Sequence, residues 1–171
     1  MAMPSVLSIV GKKDSGKSEV LEKLIQLLSK KGYRVGVLKR LARDDFEIDE
    51  PGKDTYRYRV QGAQKVILAG RKRLAVFSNL EEEIPFEDLL SCFKEFDLVF
   101  LEGYFQDEIQ KIEVHKKELG DLLLAERVDN VFAICSDGEG RPNVPSFAFE
   151  QLDELASLIK DQLLRKEAGV S

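Results

Sequence analysis

The chain has 171 residues, of which 43% are hydrophobic and 33% are charged, and its formal net charge is −5. This length and composition are typical of one folded globular domain over residues 1–171 and exclude a disordered chain. The acidic balance, the lack of an apolar run near ~18 residues and two isolated cysteines, Cys92 and Cys135, favour a cytosolic protein with no nucleic-acid ligand and no membrane span.

An apolar run at residues 6–10 (VLSIV) predicts a strand, and helical spacing of apolar side chains follows over residues 18–31. Gly32 then stands where a helix commonly ends, and residues 34–40 (RVGVLKR) predict a second strand. A strand, a helix and a strand with short links form a βαβ unit. We therefore expect these two strands to be parallel.

The remaining elements follow from apolar runs that are bounded by turn or charged residues. Further strands are predicted at residues 65–69, 74–78, 97–101, 111–115 and 131–135, and helices at residues 54–61, 86–95, 118–126 and 150–167. About seven strands interleaved with helices predict an α/β fold, in which helices cover both faces of a mostly parallel sheet. We expect antiparallel additions near residues 65–78 and 111–115. Ligands of such sheets bind beyond the carboxyl ends of the strands.

Residues 11–18 (GKKDSGKS) match G-x-x-x-x-G-K-[ST], the Walker A or P-loop pattern. The glycines let backbone N–H groups wrap closely around a phosphate, and the helix that begins there directs the positive end of its dipole at it. Lys17 then reaches the β- and γ-phosphates, and the Ser18 hydroxyl ligates Mg²⁺. Because the motif falls between a predicted strand and a predicted helix, it favours a nucleotide phosphate site over a solvated glycine-rich turn.

The run DLVFLEG at residues 97–103 supplies two candidates for the second acid that a P-loop protein uses to hold magnesium. At ~3.3 Å per residue, Asp97 and Glu102 lie ~16 Å apart, at opposite ends of the strand. Glu102 lies at the carboxyl end and is the better candidate, with Gly103 allowing close approach to the γ-phosphate. Asp97 is interpreted as a cap or turn residue.

Base recognition is less clearly marked. Asp137, in the CSDG segment after the strand at residues 131–135, can accept hydrogen bonds from guanine N1–H and N2–H₂, but Asp-Gly is also an ordinary turn signal. The N-K-x-D motif of many GTPases is absent from the sequence, so guanine and adenine both remain open. Lys39, Arg40 and Arg43 follow the second strand and face either the phosphate side of the sheet or solvent.

With these residues placed, the sequence resembles the MobB family of accessory GTP-binding proteins of molybdenum cofactor biosynthesis. The resemblance lies in the Walker A segment, FEIDEPGKDTYRYRVQGA at residues 46–63, DLVFLEGY at 97–104 and KIEVH at 111–115. It implies a P-loop NTPase fold with three α/β/α layers, a homodimer, GTP with Mg²⁺ and at most slow hydrolysis. It also implies cooperation with a MobA-type nucleotidyltransferase, which attaches GMP to molybdopterin, and molybdopterin itself as a further bound ligand.

The resemblance also implies roles for individual residues. Lys17 and Glu102 are the expected catalytic residues, and Ser18 and Glu102 are the expected metal ligands. Nucleotide binding is expected of Gly11, Lys12, Asp14, Ser15, Gly16, Lys17, Ser18, Glu19 and Asp137, and switch or partner contacts of Asp49, Lys53, Asp54 and Arg57. Lys12 stands where one class of P-loop ATPases carries a lysine that reaches the partner subunit's nucleotide, although an exposed loop lysine is the plainer interpretation.

One segment departs from the family pattern. Residues 39–45 are KRLARDD, where members commonly carry K-H-x-H-H after the second strand. A metal or pterin contact made by those histidines is therefore not carried over to this chain. Three function classes follow from the sequence: an accessory GTP-binding protein, a small-molecule P-loop kinase that acts alone, and a metallochaperone-type GTPase. The absence of Cys/His clusters from the sequence counts against the third.

Overall fold

The computed structural model describes residues 3–41, 46–47, 49–120 and 128–164. The chain divides into two compact units, one made of residues 1–42 and 89–171 and the other of residues 43–88. The single nucleotide-binding domain expected over the whole chain stays a prediction.

Strands and helices alternate along the described residues. The strands are β1 (Ser5–Val10), β2 (Val35–Lys39), β3 (Lys65–Ala69), β4 (Leu74–Ser78), β5 (Leu98–Glu102), β6 (Lys111–His115), β7 (Val131–Ser136) and β8 (Ser146–Phe147). The α-helices are α1 (Lys17–Lys30), α2 (Asp54–Val60), α3 (Phe86–Ser91) and α4 (Leu152–Leu163), with 3₁₀ turns at Lys117–Leu119 and Phe149–Gln151.

The first unit is built on a six-stranded sheet in the order β2-β5-β1-β6-β7-β8, in which every neighbouring pair is parallel. Lys39 pairs with Glu102, and Glu102 pairs with Ile9. The carboxyl ends of β2, β5 and β1 therefore meet at one edge of the sheet. This is the edge at which the predicted phosphate loop begins.

The antiparallel placement expected near residues 111–115 is wrong, because β6 runs parallel to both β1 and β7. A parallel connection usually needs a dozen or more residues. Here a short link suffices because the strands are staggered: β5 ends opposite Ile9, whereas β6 begins opposite Ser8. The link over residues 103–110 therefore only has to cross β1 sideways, a distance of about 10 Å, with almost no movement along the strands.

The main hydrophobic core lies between one face of this sheet and two helices. Leu7 and Phe100 on the sheet, Leu24 on α1 and Ile159 on α4 are fully buried members of this core. Apolar residues recur at three and four residues along both helices, so each presents an apolar face to the sheet. Val99 and Leu101, which alternate with the core-facing residues of β5, are also fully buried. The predicted α/β class is confirmed.

The second unit contains α2 and an antiparallel hairpin of β3 and β4, in register from Lys65 opposite Ser78 to Ala69 opposite Leu74. The antiparallel pairing expected at residues 65–78 is thus confirmed, but these strands form a sheet of their own and are not an addition to the parallel sheet. Large apolar side chains on the hairpin are exposed, with Ile67 at 58% and Leu74 at 68%. The hairpin buries little of its own apolar surface.

Several predicted boundaries shift in the structure. Helix α3 ends at Ser91, and the helix predicted at 150–167 opens with a 3₁₀ turn before α4. The helix predicted at 118–126 meets a 3₁₀ turn at Lys117–Leu119, and residues 121–127 lie outside the described residues, as do 165–171. The two-residue strand β8 has too little apolar sequence to be recognised. Within the described part of the chain, no helix has the length and apolar character to cross a membrane.

Candidate nucleotide-binding site

The loop over residues 11–16 joins β1 to α1 in a conformation that requires glycine. Gly16 has φ 90°, and a Cβ on Gly11 would collide with the Val114 carbonyl oxygen and lie 2.7 Å from Ser15 Oγ. Asp14 also has a positive φ, 64°, which aspartate tolerates better than most residues. The backbone of the loop therefore lies in close contact with β6, and glycine is required at positions 11 and 16.

Among the residues that the structure describes, the start of α1 has no side-chain cap and a buried hydroxyl of the loop has no hydrogen-bond partner. Gly16 is the N-cap of α1 and supplies no side-chain hydrogen bond to the first-turn N–H groups. Ser15 Oγ is buried and has no hydrogen-bond partner among the described residues. Uncapped amides and an unpartnered hydroxyl at a helix N-terminus fit a bound phosphate. The residues present therefore match the ligand that the motif predicts.

Lys17 lies across the loop, where its Nζ donates to the carbonyl oxygens of Gly11 at 3.0 Å and Lys12 at 2.6 Å. The ammonium group is thus held at the loop, within the region that a phosphate would enter. Ser18 and Glu19, also predicted to contact nucleotide or metal, are exposed on the first turn of α1.

Lys12 Nζ donates to the Leu119 carbonyl oxygen at 2.6 Å, so this side chain is held within its own chain in this conformation. Its contact with a partner subunit's nucleotide stays a prediction. This hydrogen bond does, however, connect the phosphate loop to the turn that follows β6.

Glu102 ends β5 beside the loop, whereas Asp97 lies at the other end of the strand. Asp97 Oδ2 accepts a hydrogen bond from the Arg34 backbone N–H at 2.6 Å, which agrees with its interpretation as a turn residue. Glu102 Oε2 lies 3.1 Å from Lys39 Nζ on β2. Gly103 has φ 84°, and a Cβ there would lie 2.5 Å from the Arg40 carbonyl oxygen, so the neighbouring backbone already requires glycine.

A cleft of about 130 Å³ separates the two motifs at this edge of the sheet. Lys17 lines one part of it, and Glu102 and Arg40 line another. Its full lining is Ile9, Val10, Gly11, Lys17, Arg40, Glu102, Gly103 and Phe105. The structure thus brings the predicted phosphate lysine and the predicted metal-binding carboxylate to one opening.

Asp137 lies two strands from β1, just after β7, and its side chain is exposed. Its Oδ1 accepts a hydrogen bond from the Lys117 backbone N–H at 2.7 Å. This contact orients the carboxylate beside the turn that follows β6. Guanine recognition by Asp137 stays a prediction.

The whole arrangement lies within the segment that matches a known family. Residues 6–137 match the family model MobB, described as molybdopterin guanine dinucleotide synthesis protein B. The chain belongs to the MobB family.

Two characterised MobB relatives show how far the similarity extends. The chain is 29% identical over 171 residues to the molybdopterin-guanine dinucleotide biosynthesis adapter protein of Escherichia coli strain K12, covering 96% of each protein. It is 35% identical over 116 residues to the protein of the same name from Haemophilus influenzae, covering 67% of this chain and 65% of that protein.

Solved MobB structures share the fold. The chain matches the crystal structure of Bacillus subtilis MobB with a TM-score of 0.73 at 22% identity, covering 95% of this chain and 99% of that one. It matches the crystal structure of a molybdopterin-guanine biosynthesis protein B with a TM-score of 0.70 at 25% identity, covering 91% and 98%. The predicted P-loop NTPase fold with its mostly parallel central sheet is confirmed.

The four switch or partner residues expected from the MobB resemblance form contacts within the second unit. Asp49 Oδ1 accepts from Thr55 Oγ1 at 3.0 Å. Lys53 Nζ lies 3.5 Å from Glu50 Oε2, and Arg57 pairs with Asp54 on α2. In this conformation these side chains stabilise the start of α2. Their switch role stays a prediction.

Arg59 is a residue of the second unit that sequence reasoning missed. Its guanidinium donates to both carboxylate oxygens of Glu47, at 2.8 and 2.7 Å, and lies 5.0 Å from the Phe77 ring centroid. The hydrogen bond with Glu47 is the main cause that raises the pKa of Arg59 above its ordinary value. Arg59 therefore joins the loop before α2 to the hairpin.

Two further side chains beside the phosphate loop were also missed. A Cβ on Gly16 would lie 3.5 Å from Phe149 Cε1 and 3.6 Å from Lys116 Cε, so an aromatic ring and a lysine stem border the loop. No motif marks these residues, because they come from separate turns after β8 and β6.

The segment that departs from the MobB histidine pattern is only partly described. Lys39 and Arg40 reach the site, whereas Arg43 lies outside the described residues.

Proposed function

We propose that this MobB chain is a GTP-binding accessory protein of molybdopterin guanine dinucleotide biosynthesis, with at most slow GTP hydrolysis. In this role it organises nucleotide and molybdopterin for a MobA-type guanylyltransferase. The observation that carries the proposal is the convergence of Lys17 and Glu102 on one cleft within the family-matched segment. The names of the E. coli and H. influenzae relatives support the pathway.

The chain's own residues account for triphosphate binding. Backbone N–H groups of the loop and of the first turn of α1 hold the phosphates, and Lys17 exchanges its loop carbonyls for phosphoryl oxygens. Ser18 and Glu102 are the residues that would hold Mg²⁺, which neutralises charge between the outer phosphates when bound.

Guanine selectivity is assigned to Asp137. One carboxylate oxygen accepts a hydrogen bond from the Lys117 N–H, which orients the side chain and leaves the other oxygen as an acceptor for the base. Guanine presents N1–H and N2–H₂ as donors to such a carboxylate, and adenine does not present them in that arrangement. The selectivity therefore depends on one charged acceptor.

The proposal includes a homodimer, in which a second copy of the chain covers the β3–β4 hairpin. Support comes from the apolar side chains exposed on this two-stranded sheet, including Ile67, Leu68, Leu74 and Val76. A two-stranded hairpin by itself is at most marginally stable in water, and helix α2, which packs against β3, leaves these side chains exposed. Sedimentation of the wild-type chain and of Ile67→Glu tests this: the wild type should sediment as a dimer and the variant as a monomer.

The phosphate site is tested by calorimetric titration of Mg·GTP into the wild type, Lys17→Ala and Lys23→Ala. Lys23 is an exposed lysine on the same helix and serves as the matched control. We expect Lys17→Ala to lower the affinity by about a hundredfold, because it removes a charge-assisted contact to two phosphates, while Lys23→Ala matches the wild type. Equal affinity of Lys17→Ala and wild type would refute the site.

The base assignment has its own experiment. Asp137→Asn keeps an acceptor for the Lys117 N–H but offers an amide donor, which suits the C2 carbonyl oxygen of xanthine instead of the guanine amino group. We expect GTP affinity to fall about tenfold and xanthosine triphosphate affinity to rise by a similar factor. Equal binding of ATP and GTP by the wild type would contradict guanine selectivity.

A turnover measurement distinguishes the accessory role from that of a small-molecule kinase that acts alone. Product formation is followed with the isolated chain, and then with the transferase and molybdopterin added. The proposal expects slow GTP loss by the isolated chain and faster dinucleotide formation when the chain joins the transferase. Rapid phosphoryl transfer from GTP to a soluble acceptor by the isolated chain would overturn it.

A further inference from the structure

Arg40 is fixed at the carboxyl edge of the sheet by its backbone. Its N–H donates to the Glu102 carbonyl oxygen at 2.8 Å, and its own carbonyl oxygen abuts Gly103. The residue therefore follows β2 directly beside the carboxylate that ends β5. A change in Glu102 or Gly103 would move Arg40 with it.

The Arg40 side chain is positioned by an aromatic ring. Its guanidinium carbon lies 5.9 Å from the centroid of the Tyr104 ring, within the range of a cation–π contact. Tyr104 is itself buried, and its carbonyl oxygen accepts a hydrogen bond from Ser8 Oγ at 2.7 Å. The Arg40 guanidinium thus lies over the ring of a buried residue, and Arg40 lines the cleft together with Lys17 and Glu102.

The order of the strands gives a bound nucleotide a direction along this edge. Asp137 follows β7, two strands from β1 on one side, and Arg40 follows β2, two strands from β1 on the other. Under the proposed function, with the phosphate loop in the middle and the base toward Asp137, the phosphate chain would extend toward Glu102 and Arg40. The diphosphate part would then occupy the loop, and only a third phosphoryl group would reach beyond it.

We propose that Arg40 binds the terminal phosphoryl group of the nucleotide and makes this site prefer a nucleoside triphosphate over a diphosphate. A guanidinium has five N–H donors and no acceptor, so it cannot ligate a metal ion but matches phosphoryl oxygens in a bidentate manner. This inference rests on the proposed nucleotide-binding function and adds a residue that discriminates between its ligands.

The test compares GTP with GDP on each variant by calorimetric titration in the presence of Mg²⁺. The variants are Arg40→Gln, which removes the charge, and Arg40→Lys, which keeps the charge but loses the planar fork. Arg34→Gln is the matched control, because Arg34 precedes the same strand at its other end, about 20 Å away. Since both affinities are measured on one sample, partial loss of folded protein changes the stoichiometry and leaves their ratio intact.

We expect Arg40→Gln to lower GTP affinity about tenfold and GDP affinity less than twofold, with Arg40→Lys intermediate and Arg34→Gln unchanged. If Arg40→Gln lowers the affinities for GTP and GDP by the same factor, so that their ratio is unchanged, the proposed role of Arg40 is wrong. Suppose that the wild type binds GTP, that Lys17→Ala does not, and that the Arg40 variants keep the wild-type ratio of GTP to GDP affinity. In that case the inference about Arg40 fails and the proposed function stands. If the wild type binds neither nucleotide, the proposed function fails as well.

Discussion

Lys39 and Glu102 face each other across β2 and β5, and the ammonium nitrogen lies 3.1 Å from a carboxylate oxygen. The Glu102 side chain is 17% exposed and that of Lys39 is 51% exposed, so the pair lies at the mouth of the cleft rather than in the core. The carboxylate expected to hold magnesium is therefore already paired with a cation. A magnesium ion held by Glu102 would compete with this ammonium group for the negative charge of the carboxylate.

Lys39→Met should strengthen magnesium binding to the nucleotide complex. A partly exposed ion pair contributes at most about 1 kcal/mol, so freeing Glu102 changes the apparent affinity by no more than about fivefold. The measurement is the magnesium concentration that gives half-maximal GTP binding. Lys160→Met is the control, since Lys160 forms an ion pair of the same 3.1 Å length with Asp161 on α4. Weaker magnesium binding in Lys39→Met would mean that Lys39 contacts phosphate instead.

Gly11→Ala should both destabilise the fold and block nucleotide binding. The added methyl group would meet the Val114 carbonyl oxygen, a backbone atom that cannot retreat without moving the loop from β6, and it would also crowd Ser15 Oγ. We expect a loss of about 3 kcal/mol in the free energy of unfolding, measured with urea. Gly32→Ala is the comparison: Gly32 has φ 86° but nothing within 4 Å of a Cβ, so only about 1 kcal/mol should be lost. Equal losses would show that close packing at Gly11 is unimportant.

The phosphate loop could be predicted from the sequence because its chemistry is local. Gly11, Gly16, Lys17 and Ser18 lie within eight consecutive residues, and each residue type has its own physical requirement. Glu102 was predictable for a related reason, since the length of an apolar strand fixes which end of it meets the loop. Both predictions needed only the spacing of residues along the chain.

Contacts between segments that are distant in the sequence could not be predicted from residue spacing. The pairing of Lys39 with Glu102 depends on strand order, and the parallel direction of β6 depends on a stagger between strands that no residue pattern records. The position of the Arg40 side chain depends on the ring of Tyr104, a residue whose backbone carbonyl accepts a hydrogen bond from Ser8 on β1. Each of these features becomes visible only after the sheet is assembled.

Lys111→Met should destabilise the chain strongly. The Lys111 side chain is fully buried, and its Nζ donates to the carbonyl oxygens of Gln106 and Ile109, both at 2.8 Å. Methionine matches its shape but leaves these buried acceptors without a donor, so we expect a loss of about 3 kcal/mol in urea unfolding. Lys23→Met, on an exposed face of α1, should change stability by less than about 0.5 kcal/mol. A stable Lys111→Met would mean that water replaces the ammonium group.

Cys135 should make stability fall at alkaline pH. Burial, and secondarily the charge of Glu150, raises the pKa of the Cys135 thiol from 9.0 to about 12. Between these values the unfolded chain has lost the thiol proton while the folded chain keeps it, so stability is present below about pH 9 and is lost as the pH rises toward 12. The slope of the unfolding free energy against pH approaches about 1.4 kcal/mol per pH unit for one proton.

Urea unfolding of the wild type and Cys135→Ala between pH 9 and 11 measures this slope, with the exposed Cys92 present in both proteins. The difference in unfolding free energy should narrow as the pH rises, and a constant difference would show that the folded thiol ionises as easily as the unfolded one.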